Sequence, residues 1–208
     1  MTKGIDFSAT YTLGRARSNL GNGTDELNVN VLQDHTRLFE DPRTWAPAGR
    51  TDARHRGTIA SVIQVKGFTL APMFTFRSRL PVATYYGQDL NGDSVTNDLP
   101  ERAYQFTSIG EAPKDIGACD TWNCSRGAWQ TQFNMRVSRS FRLFGNARVE
   151  AIGEIFNVLN ATNPSGFLTR QHFGTGAPNP DFMQPTEFAG DFQNPEQRVG
   201  QIGFRFSF

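Results

Sequence analysis

Six stretches of the chain alternate apolar and polar residues with a period of two, and this pattern predicts six β-strands. The stretches cover approximately residues 5–14, 55–65, 68–77, 132–138, 147–157 and 201–208. One face of each stretch is rich in Phe, Ile, Val and Leu, whereas the other carries Thr, Gln, Asn, Arg and Glu. The 18 Phe and 20 Gly residues also suit sheets and turns better than helices. The fold class we predict is all-β, an antiparallel meander of about six long strands.

Two environments produce strands with one apolar and one polar face. In a soluble antiparallel sheet, the apolar face packs on a core and the polar face meets water. In a transmembrane β-barrel, the apolar face meets lipid and the polar face lines the lumen. A transmembrane helix is not expected, because no stretch approaches 18 consecutive apolar residues.

The lengths of the connections distinguish these two environments. The second and third strands are joined by Lys66-Gly67, and the fourth and fifth by the short segment 141–146. The other connections are long, at about 18–54, 80–129 and 158–197, so short and long connections alternate along the chain. Soluble domains seldom contain several structureless loops of more than about 15 residues. Outer-membrane barrels combine short periplasmic turns with long extracellular loops, so the alternation favours a membrane barrel.

The strand length and the strand number together indicate a part of a larger barrel. Strands of about ten residues, tilted by about 45°, rise about 24 Å, close to the apolar band of about 25 Å in such barrels. Six strands are fewer than the roughly eight that close a membrane barrel, and open edges in lipid leave backbone groups unpaired. The first residues also lack the apolar segment of a signal peptide. We therefore expect residues 1–208 to be the C-terminal portion of a longer barrel.

Five parts of the sequence resemble motifs of one protein family. They are Asp52-Ala53-Arg54-His55-Arg56 at the start of a strand; Gly67-Phe68-Thr69-Leu70 with Arg77-Ser78-Arg79-Leu80-Pro81-Val82; the acidic loop Gln88-Asp89-Leu90-Asn91-Gly92-Asp93 with Asn97-Asp98-Leu99-Pro100; the penultimate strand Ala151–Asn160; and the ending Gly203-Phe204-Arg205-Phe206-Ser207-Phe208. In this order, they resemble the last strands of a TonB-dependent outer-membrane receptor of the Oar-like type common in Acidobacteria and their relatives.

The resemblance implies a 22-stranded barrel with a plug domain inside it. It implies uptake or binding of a large nutrient, such as a siderophore, cobalamin, a glycan or a peptide, powered by the TonB system of the inner membrane. The localisation implied is the bacterial cell outer membrane, where the chain would contact lipid, the remaining barrel strands and the plug. It also implies that the barrel-assembly machinery recognises the terminal strand with Phe204, Phe206 and Phe208. The plug and the TonB box of the family are not in these 208 residues, so transport belongs to the full-length protein.

The acidic loop is a candidate calcium site. Its oxygen-bearing side chains alternate in the way that hard cations require, and they are Asp89, Asn91, Asp93, Asn97 and Asp98. The first three resemble the start of an EF-hand loop, but Ser94 stands where that loop has Gly and Pro100 where it has Glu. The alternative is a solvated turn, because Asn-Gly and Asn-Asp favour turns without any metal.

The only two cysteines, Cys119 and Cys124, lie five positions apart in a polar segment. We expect a local disulfide in an exported loop. Two free thiols are the alternative, and zinc is not expected because the cysteines have no pair of histidines nearby.

We do not expect an enzyme or a nucleic-acid-binding protein. The three histidines, His35, His55 and His172, lie in different segments, and no Ser has a Gly-x-Ser-x-Gly context. Glu150 and Glu154 share a strand face, and two carboxylates could serve as acid and base. We favour a ladder of ion pairs with Arg136 or Arg205 on neighbouring strands. With 21 basic and 20 acidic residues, the chain lacks the positive charge of a nucleic-acid binder.

Aromatic side chains in and beside the long loops fit an interfacial girdle. They are Trp45, Trp122, Trp129, Tyr85, Tyr86 and Tyr104; stacking on a carbohydrate is the alternative role. We expect His55 to form hydrogen bonds near lipid headgroups. The alternative to the whole membrane interpretation is a secreted, soluble β-sandwich that binds carbohydrate with calcium and buries its Phe-rich face between two sheets.

Overall fold

The computed structural model describes residues 4–18, 46–49, 51–92, 94, 96, 98–189 and 196–208. Within these ranges the regular elements are β-strands: β1 (Gly4–Leu13), β2 (Arg17–Ser18), β3 (Ala46–Pro47), β4 (His55–Val65), β5 (Phe68–Arg77), β6 (Pro81–Val82), β7 (Arg102–Gln105), β8 (Lys114–Ala118), β9 (Ser125–Arg126), β10 (Gln130–Arg142), β11 (Arg148–Phe156), β12 (Pro164–Phe167), β13 (Pro185–Phe188) and β14 (Val199–Ser207). The described residues contain no helix with the length and apolar character needed to cross a membrane.

The six long strands form one sheet in the order β1-β4-β5-β10-β11-β14. Every neighbouring pair in this sheet is antiparallel. The predicted all-β, antiparallel meander of six long strands is therefore confirmed. The strand predicted at 132–138 is longer than expected and spans Gln130–Arg142. Gln130 and Thr131 are polar, and Arg139 interrupts the apolar alternation before Phe141.

The tight hairpin predicted at Lys66-Gly67 is also confirmed. Lys66 has a φ of 51° and Gly67 a φ of 82°. Two consecutive residues in this left-handed region form the two-residue turn whose twist matches that of the flanking strands. Glycine suits the second position because it adopts a positive φ without a steric cost.

The register aligns the apolar residues of all six strands. One row runs across the sheet through Ile5, Ile63, Leu70, Val137, Gly153 and Ile202. Since side chains alternate between the two faces of a strand, the Phe-, Ile-, Val- and Leu-rich sides of the six strands all lie on one face of the sheet, with exceptions such as Val62, Met73 and Ile152 on the other. We call this side the apolar face and the opposite side the polar face.

Among the described residues, nothing covers the apolar face on the two edge strands of the sheet. Ile5 is 73% exposed, Phe7 68%, Ile202 80% and Phe204 65%. A sandwich buries such a face under a second sheet about 10 Å away. The described strands outside the long sheet instead form three small sheets of two, two and four strands.

The second and third long connections are not structureless, and this part of the sequence interpretation is wrong for them. Strands β6, β7, β8 and β9 form a four-stranded sheet within the second long connection, and β12 pairs with β13 within the third. Phe106, Phe182 and Met183 from both connections form a buried apolar cluster. We call residues 78–129 and 158–189 the cap. Its strands escaped prediction because segments of two to five residues are too short to show a period.

Asn157 joins the sheet to the cap at the end of β11. It is fully buried, with a φ of 47°. Its backbone N–H donates to Oδ1 of Asn134 on β10, at 3.0 Å. Its side-chain amide donates to the carbonyls of Ala161 (3.1 Å) and Glu196 (2.6 Å), and its Oδ1 accepts from the Ala161 N–H. One buried side chain thus holds the chain where it leaves the strand.

Candidate functional site

The apolar face is the most extensive surface feature of the described residues. Its larger side chains are Ile5, Phe7, Tyr11, Leu13, Ile59, Ile63, Val65, Phe68, Leu70, Phe74, Phe76, Phe133, Met135, Val137, Phe141, Val149, Ile155, Ile202, Phe204 and Phe206. Among the described residues of the long strands, Arg139 is the only one with a formal charge on this face. Soluble monomers rarely expose contiguous apolar patches beyond a few hundred Å², so a face of six strands requires an apolar partner.

An aromatic row bounds the apolar face at its cap end. The Tyr11 hydroxyl lies 2.7 Å from Nδ1 of His55, and the two rings stack with centroids 6.1 Å apart. The His55 ring also stacks on Trp129, with centroids 6.4 Å apart. These three side chains each combine a flat apolar body with a polar atom, a combination suited to a boundary between apolar and wet surroundings. The expectation that His55 forms a hydrogen bond is met by Tyr11; the headgroup contact stays a prediction.

Arg139 bounds the apolar face at its turn end. Its guanidinium carbon lies 4.7 Å from the ring centroid of Phe68 and 5.2 Å from that of Phe141. Aromatic faces attract the cation, and the aliphatic stem covers apolar surface while the charge stays near the end of the strands. The exposed Phe144 (81%) extends the apolar surface into the adjacent turn.

The polar face carries the predicted ladder of ion pairs. Arg136 on β10 contacts Glu154 on β11 at 3.3 Å, and Arg205 on β14 contacts Glu150 on β11 at 3.6 Å. Gln201 on β14 donates a hydrogen bond to the second carboxylate oxygen of Glu154. The pairing of both glutamates with arginines is confirmed. Each carboxylate is held by groups on neighbouring strands, so the ladder fixes side chains across three strands of the sheet.

A cavity of about 500 Å³ lies between the polar face and the cap. Arg77 and Gln130 line it at the strand ends, and Tyr85 and Glu187 line it from the cap. The Arg77 guanidinium donates to the side-chain oxygen of Gln130. This volume and its mixed lining lie within the range of small-molecule sites, about 300–1,000 Å³.

A second guanidinium near this region, that of Arg126 in β9, is partly withdrawn from water. Burial lowers the pKa of Arg126, and Arg15 lowers it further, while Asp52 opposes the shift. Arg126 nevertheless stays protonated, because an arginine begins from a very high pKa. The end of the polar face nearest the cap therefore brings together the cations of Arg77 and Arg126 with the carboxylates of Glu187 and Asp52.

Carboxylates of the acidic loop accept hydrogen bonds from backbone amides of the same loop. Asp89 accepts hydrogen bonds from the N–H groups of Gly92 (2.6 Å) and Ser94 (2.8 Å). Asp98 accepts one from the N–H of Leu90, at 2.6 Å. This is the turn chemistry of the alternative interpretation. Asn91 lies in the same turn, whereas Asp93 and Asn97 lie outside the described residues. In the part of the chain that the structure describes, no three His, Cys, Asp or Glu side chains are grouped to hold a metal ion. The calcium site stays a prediction.

Cys119 and Cys124 are joined by a disulfide, with Cα atoms 5.4 Å apart. The bond closes a short loop that contains Asn123, which is only 1% exposed. The Asn123 amide donates to the Pro47 carbonyl at 2.8 Å. The cross-linked loop therefore anchors the cap against β3.

Of the loop aromatics predicted to form an interfacial girdle, one lies beside the apolar face and four pack against rings within the cap; the girdle stays a prediction. Trp129 lies on the apolar face, as described above. Tyr104 instead packs edge-on against Phe182 in the cap core, at 5.1 Å between centroids. The remaining aromatics pair within the cap: Tyr85 with Trp122 at 5.8 Å, and Tyr86 with His172 at 4.4 Å. They are structural because the cap has its own apolar interior. Trp45 and His35 lie outside the described residues.

Sequence reasoning missed three residues that shape this surface. Asn157 lies where strand β11 meets the cap. Arg139 lies where the sheet meets the turn, and Arg79 lies where the edge of the sheet meets the cap. For Arg139 a signal was present, because it interrupts the apolar register of β10. Asn157 and Arg79 gave none, since their roles depend on contacts between distant segments.

Phe204 and Phe206 lie on the apolar face of β14, with exposures of 65% and 61%, and Phe208 follows the strand fully exposed.

No protein-family model matches this chain, and neither a curated protein nor a solved structure was found to match it.

Proposed function

We propose that this chain forms six consecutive strands of a transmembrane β-barrel in the bacterial outer membrane. The barrel would belong to a TonB-dependent receptor that binds or takes up a large nutrient such as a siderophore, a glycan or a peptide. The apolar face would contact lipid, the polar face would line the lumen, and the cap would lie outside the cell.

The observation that carries this proposal is the continuous apolar face, which has no protein cover at its exposed ends. Burial of one large apolar side chain stabilises a protein by about 1.5–3 kcal/mol relative to its exposure in water. About twenty such side chains share this face. Their transfer from water to apolar surroundings would therefore stabilise the protein far more than any single contact in the sheet. Tyr11, His55 and Trp129 at one end and Arg139 at the other resemble the amphipathic residues that flank the lipid-facing band of membrane proteins.

The distance between these two boundaries supports the same proposal. Strand β4 contains 11 residues, from His55 in the aromatic row to Val65 beside the turn. Ten residue steps of about 3.3 Å, tilted by about 45°, give a height of about 23 Å. The apolar band of outer-membrane barrels is about 25 Å tall.

The sheet also needs neighbours at both edges. Strands β1 and β14 are the two ends of its strand order, and each pairs on one side among the described strands. In hydrocarbon, each unpaired backbone group costs several kcal/mol. The remaining strands of the barrel would supply the missing partners, and the plug would fill the lumen. The connection to TonB would pass through the plug.

Two neighbouring small residues allow a direct test of which face meets lipid. Ser61 lies on the apolar face opposite Phe7, and Ala60 lies on the polar face opposite Ser8. Both positions tolerate cysteine without a large change in volume. Each variant would be made in the full-length protein, where it adds one free thiol beside the Cys119–Cys124 disulfide; it would be labelled with a fluorophore without a reductant and reconstituted into bilayers with brominated lipids. The same samples would be exposed to a water-soluble quencher.

We expect brominated lipid to quench the fluorophore at Ser61→Cys and to spare the one at Ala60→Cys. The water-soluble quencher should show the reverse preference. Lipid quenching that is equal at the two positions, or stronger at Ala60→Cys, would refute a lipid-facing apolar surface. Expression of the protein as a stable monomer in water without detergent would refute it too.

The terminal strand offers a second test. Deletion of Ser207 and Phe208 should block assembly if the end of β14 carries the recognition signal for the assembly machinery. The measurement is the amount of full-length protein in the outer membrane. Normal levels after the deletion would contradict the assembly role while leaving the lipid-facing surface to the quenching experiment.

A further inference from the structure

A second cavity lies where the cap meets the aromatic row of the apolar face. Its volume is about 520 Å³. Trp129 and Ile109 line it together with Phe106 and Pro164, and Arg79 provides its one ionisable side chain. Hydroxyl-bearing residues of the cap, Ser108 and Thr162 among them, complete the wall. We call it the rim cavity.

Arg79 is held in the rim cavity without an acidic partner. Its guanidinium carbon lies 5.9 Å from the ring centroid of Trp129. Its Nε is buried and has no hydrogen-bond partner among the described residues. Burial lowers the pKa of Arg79, as withdrawal of a cation from water must. No carboxylate of the described part of the chain forms an ion pair with it.

A buried, unpartnered donor is costly in a folded protein. Leaving a buried polar group unsatisfied is unfavourable, and more so when the group is charged. The Trp129 ring attracts the cation but accepts no strong hydrogen bond from Nε, so the burial of the charged group is not fully compensated. Because Nε is closed to solvent, an anionic oxygen in the cavity would bind the other guanidinium N–H groups, through short, charge-assisted and often paired hydrogen bonds that offset the burial of the cation.

We infer that the rim cavity binds an anionic membrane lipid, with its phosphate on Arg79 and an acyl chain against Ile109 and Trp129. This inference rests on the proposed function, because it places the aromatic row at the membrane boundary. An apolar wall with one cation at the polar end of a lipid-facing surface matches a lipid that has an apolar tail and a negatively charged head. A small soluble anion would satisfy Arg79 but would leave Phe106 and Ile109 exposed to water.

The test compares two arginines that lie at opposite ends of the same face. Arg79→Gln removes the cation of the rim cavity. Arg139→Gln is the matched control, because Arg139 also lies over aromatic rings and has no role in the cavity. The full-length protein and both variants would be purified from the outer membrane in mild detergent. Native mass spectrometry would then measure binding of added phosphatidylglycerol, zwitterionic phosphatidylcholine and inorganic phosphate.

We expect the wild-type protein and Arg139→Gln to bind phosphatidylglycerol equally well. Arg79→Gln should bind it at least about tenfold more weakly, the factor expected for loss of one hydrogen-bonded charge pair. Phosphatidylcholine should bind more weakly than phosphatidylglycerol, and inorganic phosphate at the same concentration should not displace either lipid.

Three results would overturn the inference: equal binding of phosphatidylglycerol by Arg79→Gln and wild type, equal binding of the two lipids by wild type, or displacement of lipid by inorganic phosphate. The last would assign the cavity to a soluble anion. Failure of the proposed function is detected separately, because the fluorophore at Ser61→Cys would then escape quenching by brominated lipid. A lipid-facing sheet without lipid selectivity at Arg79 would refute only the present inference.

Discussion

Replacement of Ile59 by arginine puts a charge in the middle of the apolar face. Ile59 lies on β4 opposite Ala9 and Phe74, and it is 43% exposed. It is four residues from His55 in the aromatic row, which corresponds to about 9 Å along the barrel axis at 3.3 Å per residue and a tilt of about 45°. That depth is close to the middle of an apolar band of about 25 Å.

The expected cost follows from this depth. An arginine at the bilayer midplane of a β-barrel lowers the free energy of unfolding by about 2–4 kcal/mol, and one near the interface by about 0–1 kcal/mol. We expect Ile59→Arg to lose about 2–3 kcal/mol on that scale. The matched control is Thr58→Arg, on the polar face of the same strand, for which we expect less than about 1 kcal/mol because the lumen hydrates the charge.

The assay is reversible urea unfolding of the full-length protein in phospholipid vesicles, followed by tryptophan fluorescence. Equal losses for Ile59→Arg and Thr58→Arg would refute the assignment of the two faces. A larger loss for Thr58→Arg would show that the polar face is the one buried in an apolar environment. In a water-exposed sheet, Ile59→Arg would change stability by less than about 0.5 kcal/mol.

Three further predictions concern the cap. The pKa of Asp115 lies below its usual range, because Arg102 and the Gly117 amide donate hydrogen bonds to its carboxylate. The ionised carboxylate therefore stabilises the folded state. This stabilisation is fully present above the unfolded-state pKa of about 4 and is lost as the pH falls through the lower folded-state pKa. The protection factors of β7 and β8, which divide out the intrinsic slowing of hydrogen exchange in acid, should therefore fall as the pH is lowered, and Asp115→Asn should abolish this pH dependence. Asn157→Ala should lower the free energy of unfolding by about 2–3 kcal/mol, because it leaves buried backbone groups unpaired. Asn157→Asp should cost at least as much, because its carboxylate would be buried facing the Ala161 and Glu196 carbonyls. Equal stability of Asn157→Ala and wild type in chemical denaturation would contradict this prediction. Replacement of Cys119 and Cys124 by serine removes a short-loop constraint worth about 2 kcal/mol in the chain-entropy model. Protease cleavage within the cap should therefore accelerate by at least tenfold. Unchanged cleavage would show that the other contacts of the loop hold it in place without the disulfide.

The six long strands were predictable because each one alternates apolar and polar residues over many positions. Ile5 to Leu13 offers five apolar positions on one face, and the pairing of β1 with β4 then aligns them with those of the neighbour. A slip of one residue would turn every apolar side chain to the polar face. The pattern therefore specifies strand, face and register together. The pairing of Glu150 with Arg205 and of Glu154 with Arg136 follows from the same register.

The cap was not predictable because no local pattern specifies it. Its strand β9 has two residues and pairs with strands that precede it by tens of positions. Tyr104 resembles a girdle residue in the sequence, but its ring packs on Phe182, which is 78 positions away. Such contacts depend on how two long connections fold against each other. The sequence shows only that these connections are long and rich in aromatic residues.

The structured cap changes what the long connections can contribute to recognition. Flexible loops lose conformational entropy when they close on a ligand, whereas a preorganised surface avoids most of that cost. Here Phe106, Phe182 and Met183 give the cap an interior of its own, and Asn157 and Asn163 bond it to the ends of β10 and β11. A cap fixed in this way continues the rigid sheet beyond the aromatic row. The cavity at Arg77 and the rim cavity at Arg79 arise at this junction, on opposite faces of the same two strand ends, so the polar face and the apolar face each terminate in a preformed site with an arginine. In the membrane orientation proposed above, selectivity for the nutrient on one side and for a lipid on the other would reside in residues only two positions apart.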